Sequence, residues 1–105
     1  MKNVKIQILI KNKNNLFANA NLSINTTELG CIKIKGFQVW KSKNFNKRLQ
    51  ASINITPPQN SYHGNYLAIV FFEDLNKWYL LEELIYKNYC EKRDQEINIE
   101  EIPEL

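Results

Sequence analysis

Apolar and polar residues alternate through most of the first half of this chain. In "VKIQILI", Val4, Ile6, Ile8 and Ile10 share one face, with Lys5 and Gln7 on the other. After the polar turn "NKNN", whose asparagines tolerate positive φ, the alternation resumes in "LFANANLSI". Here Leu16, Ala18, Ala20, Leu22 and Ile24 point one way, and Phe17, Asn19, Asn21 and Ser23 the other. A period of two held this long predicts half-buried antiparallel strands, and the two segments a hairpin. In the third segment Ile32 and Ile34 alternate with Lys33 and Lys35, but after Gly36 the apolar positions become Phe37 and Val39. A one-residue slip at a glycine predicts a β-bulge, which turns Trp40 off the core face. "KSKNFN" then turns the chain into a fourth strand with Leu49, Ala51, Ile53 and Ile55 inward, stopped by Pro57 and Pro58.

"PPQNSYHGN" reads as a loop. "YLAIVFF", residues 66–72, is almost continuously apolar and β-prone, so it predicts a fifth strand that is central or covered on both faces. Asp74 or Asn76 can cap a helix over residues 75–93, with Lys92 and Arg93 at its end. Its apolar stripe of Trp78, Leu81, Ile85 and Tyr89 is widened by Leu80, Leu84, Tyr79 and Tyr86. A helix apolar over more than half its circumference needs cover from two sides, and in a small protein a second subunit can supply one. The acidic tail, 94–105, is expected to be disordered alone, or to lie on a partner or on the protein's own basic face. Together the elements predict an α+β domain over residues 1–93: a twisted antiparallel sheet of about five strands with one C-terminal helix.

The 105 residues are enough for one modest core, and 44% apolar content argues against general disorder. Charge sharpens the division between the two halves. Residues 1–72 carry a net +9, with Glu28 their one acid, whereas residues 73–105 carry −6. A basic body with an acidic end fits a surface that meets polyanions, and equally fits attraction within or between chains. No apolar run is long enough to span a membrane, and the N-terminus reads as a strand rather than a signal peptide. Cys31 and Cys90 lie far apart without metal-like spacing, so they are expected to be reduced thiols of a cytoplasmic protein.

The residues offer little for catalysis. His63 is the one histidine, so neither a triad nor a multi-histidine metal site can be built within the chain. Glu73/Asp74 suit a helix start, and Glu82/Glu83 are expected on a helix edge facing water. With glycines only at 30, 36 and 64, no phosphate-cradling loop occurs. The expectation is a protein without catalytic residues, cofactor, metal or small-molecule substrate. The stretch from Gly30 to Pro58 does have a mechanism attached: six Lys/Arg and no acid. Lys33, Lys35, Lys41, Lys43, Lys47 and Arg48 are expected on one exposed face and its turn, where cations bind phosphates by releasing counterions. Trp40 and Phe45 are candidate stacking groups for unpaired bases. The plain alternative is a solvated face, since lysines commonly guard exposed sheets and edges.

In order and spacing, "NANLSI" (19–24), "GFQV" (36–39), "INITPP" (53–58) and "ELIYKNY" (83–89) resemble the SpoVG (stage V sporulation protein G, septation regulator) family. The resemblance covers about residues 4–90. It implies a bacterial or mobile-element regulator that binds DNA or RNA. It also implies a homodimer with the helix packed at or exchanged across the interface, through Trp78, Leu81, Leu84, Ile85 and Tyr89. The family's basic loop after the proline is replaced here by Gln59, Asn60 and Ser61, and arginines are limited to Arg48 and Arg93. Contact mainly through phosphates is therefore expected, rather than base-specific reading. The runner-up is a protein-interaction module, an inhibitor or adaptor, acting through the sheet or the acidic tail.

Overall fold

Each of the four alternating segments is a strand in the computed structural model, which describes residues 2–101, and for Tyr62 and residues 97–101 the backbone only. β1 (Val4–Lys13), β2 (Leu16–Thr26), β3 (Gly30–Asn46) and β4 (Ala51–Thr56) form an antiparallel meander in that order. A short hairpin, β5 (Gln59–Tyr62) with β6 (Asn65–Ala68), forms a second sheet, and α1 (Leu75–Glu101) closes the described chain. The fold is α+β, with an antiparallel sheet and one C-terminal helix.

The core lies between one face of the meander and α1. Ile8, Ala18, Ala20, Leu22, Phe37, Val39, Ile53 and Ile55 from the sheet meet Leu81, Ile85 and Tyr89 from the helix. Ala18 and Ala20 are fully buried. Their small side chains leave room for the bulky helix stripe at close-packed density. Asp74 accepts a hydrogen bond at Oδ1 from the Lys77 N–H (3.2 Å), which satisfies a free donor of the first turn.

The bulge at Gly36 is present: β3 spends two residues, Lys35 and Gly36, opposite Asn21 of β2. Gly36 has φ of +107°, and a Cβ there would sit 3.3 Å from Pro58, so both its backbone and its surroundings favour glycine. A second bulge was not expected from the sequence. Leu16 pairs with Trp40 and Ala18 with Val39, so Phe17 is the extra residue on β2. Phe17 therefore turns toward the helix and stacks on Tyr89 (centroids 6.2 Å apart) instead of joining the polar face. The two bulges fall on opposite strands and cancel, restoring the original register beyond them.

Residues 66–72 differ from expectation. They supply only the short strand β6, outside the main sheet, followed by bends. Tyr66, Leu67, Ile69 and Phe71 are exposed. Phe72 turns inward beside Trp78 (5.1 Å), and both pack on Phe37. The segment is held by Pro58, whose carbonyl accepts from the N–H groups of Ile69 (2.9 Å) and Val70 (3.3 Å). The C-terminal end differs too. The helix runs on through Glu101, so residues 94–101 of the expected tail are helical, and 102–105 lie outside the described residues.

Burial pushes the phenols of Tyr86 and Tyr89 above their ordinary value, and at Tyr86 a hydrogen bond with Cys90 adds to it. The folded state then holds these protons more tightly than the unfolded chain, whose tyrosines titrate near ~10. Their contribution to stability is complete below about pH 10 and falls as pH rises through the raised values. A thermal-melt series is expected to decline above about pH 10, with a shallower slope in Tyr89→Phe. An identical alkaline slope in that variant would refute the assignment.

Candidate nucleic-acid interface

The register of the meander decides which basic residues share a surface. On the face away from α1, Lys5 pairs with Ser23 and Ser23 with Lys33, so the three side chains form one cross-strand row. Lys35 follows on the same strand at the bulge, opposite Asn21. The next row is Leu9, Asn19, Gln38 and Thr56, and beyond it Trp40 pairs with Asn54. No Asp or Glu lies in these rows. Among the described residues, the acids of the C-terminal third stand on the helix or, as Glu73 and Asp74, just before it, and the helix packs on the opposite face of the sheet. The division of charge along the sequence has thus become a division in space.

The expected single basic face is split in two. Lys33, Lys35 and Trp40 share the outer face, joined by Lys5, which the sequence reading did not include. Lys41 pairs with buried Ile53 and therefore lies on the helix side. Lys43 and Phe45 fall in the unpaired stretch between Lys41 and Asn46, where Phe45 is exposed. Phe45 and Lys47 border an open hollow of about 460 Å³ at that end of the sheet. Only the register between β1, β2 and β3 could have placed Lys5 beside Lys33.

Arg48 has a different task from phosphate binding. Asn46 accepts at Oδ1 from the N–H groups of Arg48 (3.0 Å) and Leu49 (3.2 Å), an asparagine turn that fixes the β3–β4 connection. The turn sends Leu49 into the core and Arg48 across to the helix, where its guanidinium binds the Glu82 carboxylate. It also lies 3.7 Å from the centre of the Tyr79 ring. The hydrogen bond to Glu82 raises the Arg48 pKa, and burial works against it. Glu82 does not face water as expected. Its side chain is only 6% exposed, because the arginine reaches over to neutralise it.

Leu81, Ile85 and Tyr89, expected at a subunit interface, are buried in the chain's own core, and Trp78 packs on Phe37 and Phe72. A four-stranded sheet is wide enough to cover the whole stripe. Only Leu84 points elsewhere, beside exposed Leu80 in a small hollow.

Trp40 is half-buried, and its indole N–H donates to Gln38 Oε1 (3.3 Å), which restrains the ring. A larger cleft of about 570 Å³ runs between the open edge of β1 and the C-terminal half of α1, lined by residues including Lys11, Glu91 and Lys92. Cys31 and Cys90 are free thiols. Among the described residues, no group of three or more potential metal ligands occurs, and no helix is long and apolar enough to cross a membrane. No family model, curated protein or solved structure matches this chain.

Proposed function

We propose that this protein is a non-enzymatic, SpoVG-like cytoplasmic regulator that binds DNA or RNA as a homodimer. One observation carries the reading. The outer face of the four-stranded sheet gathers Lys5, Lys33 and Lys35, a field of amides and hydroxyls, and Trp40, without a single acid. Lysines spaced along such a face attract a phosphate backbone and release its counterions. The neutral side chains between them offer hydrogen bonds without repelling it.

The test is a charge reversal. Lys5→Glu/Lys33→Glu/Lys35→Glu is expected to weaken binding to DNA or RNA more than ten-fold at low salt. Between about 50 and 200 mM salt it should lower the slope of log K on log salt by roughly 2–3. The same reversal at Lys41, Lys43 and Lys47 is expected to do less. Unchanged binding in the first variant would overturn the assignment.

The dimer is supported by the uncharged run from Gly64 to Phe72. Leu67, Ile69, Phe71 and Leu75 are each more than half exposed. Together they leave roughly 450 Å² of apolar surface in water, the size of the largest patch on a typical monomer, and patches of that size are often functional. That is about half of one partner's share in a standard interface. The opposite edge of the hairpin, in β5, is polar. Self-pairing about a two-fold axis through β6 therefore uses up the apolar edge and closes at two copies.

A further inference from the structure

We infer that the hollow between Trp40 and Tyr66 is a slot for one unpaired nucleobase. The inference rests on the nucleic-acid reading above and adds a site and a strand preference to it. The hollow, of about 250 Å³, lies where the β5–β6 hairpin meets the outer face of β3 and β4. It is smaller than the roughly 300–1,000 Å³ that usually accepts a whole small molecule. Its lining is Trp40, Asn54, Thr56, Gln59 and Tyr66, two aromatic side chains and three hydrogen-bonding ones, with no charge. A planar, neutral group with polar edges matches that lining, and among the parts of a nucleic acid only the base has this chemistry.

Two further observations bear on the slot. Thr56 Oγ1 is shut off from solvent and has no hydrogen-bond partner, and the same holds for Asn19 Oδ1. Both residues flank Gln38 in one cross-strand row, but only Thr56 lines the hollow, and Asn19 stands two strands away. A buried polar atom left unpaired is costly, so such atoms in a native structure call for an explanation. The aromatic pair is also poised. Trp40 is held by Gln38, whereas Tyr66 is 72% exposed and can close on a base already stacked against the indole. Pairing of Tyr66 with Ser61 sets it on the face of β6 away from Leu67, so the slot and the apolar surface do not compete. Lys33 and Lys35, on the same strand and sheet face as Trp40, would hold the phosphates of the strand leading into the slot. A base within a duplex is stacked and paired, and cannot enter.

The experiment titrates the full chain with a twelve-nucleotide single-stranded DNA and with the duplex of the same sequence. Trp40→Ala and Tyr66→Ala are each expected to weaken single-strand binding about ten-fold, within the range that base–aromatic stacking supplies, while leaving the salt slope unchanged. Duplex affinity should stay within about two-fold. Trp40→Phe should keep most of the single-strand affinity, which separates a lost stack from a damaged fold. If both alanine variants bind single strands as tightly as wild type, and the Lys5/Lys33/Lys35 reversal still abolishes binding, the slot is overturned while the phosphate-binding face survives. If wild type binds neither probe, nor the RNA of the same sequence in single- or double-stranded form, both fall together.

Discussion

Arg48→Ala is expected to lower the free energy of unfolding by about 2–3 kcal/mol. The substitution leaves the Glu82 carboxylate, 6% exposed, without the cation that neutralises it. Breaking a fully buried pair from one side costs about 3–5 kcal/mol. Here the arginine side chain is 40% exposed, so water can reach the vacated position and the lower range applies. The lost stack on Tyr79 acts in the same direction. Replacing both partners with apolar residues, Arg48→Met with Glu82→Leu, should recover most of the loss, because no charge is then left buried. Urea unfolding of the two variants measures both effects. A cost below about 0.5 kcal/mol for Arg48→Ala would show that the pair is not structural. Reduced binding in an Arg48 variant would reflect a loosened helix as readily as a lost phosphate contact.

Leu67→Lys combined with Ile69→Lys is expected to convert the protein to a monomer. In light scattering, wild type should read twice the 12.4 kDa chain mass, and the variant that mass itself. Two copies would bring four ammonium groups together at the two-fold axis, and like charges facing each other across an interface cost several kcal/mol. Neither residue belongs to the core cluster, so the folded chain should tolerate the change. A wild-type monomer at all concentrations would remove the dimer. A persistent dimer in the variant would move its interface elsewhere. The radius of gyration, 15.3 Å, exceeds the ~13 Å of a compact chain this long. Principal extents of 51 × 36 × 27 Å show that the difference comes from an elongated outline.

What the sequence disclosed followed the strength of its periodicity. The four strands of the meander and the bulge at Gly36 were legible because one face is buried and the other wet, and a glycine marks the slip. The bulge at Phe17 carried no such mark, since phenylalanine suits either face. The run 66–72 misled because a continuous apolar stretch reads as a covered strand, and the pattern does not reveal that Tyr66, Leu67, Ile69 and Phe71 stay exposed. The helix beyond Arg93 was hidden by its acids, although Glu and Gln are good helix formers. Arg48 looked like a phosphate contact because its partner stands in a distant element. The candidate interface was half legible. Lys33, Lys35 and Trp40 could be placed on one face from the slip alone, but Lys5, Thr56 and Tyr66 join them only through strand register and the return of the hairpin.

Every strand of the main sheet pairs with its neighbour in sequence, and this sets the order in which the protein can assemble. Its connections are short turns, so little chain entropy is lost in closing them, and the meander can form early. The contacts that close last are distant ones, such as Phe17 on Tyr89. Until the helix arrives, a finished sheet presents Ala18, Ala20, Leu22 and Val39 as a flat, uncovered floor. On the ribosome that interval lasts as long as residues 57–101 take to emerge, and in it a nascent chain is most open to capture by a chaperone or by another unfinished copy.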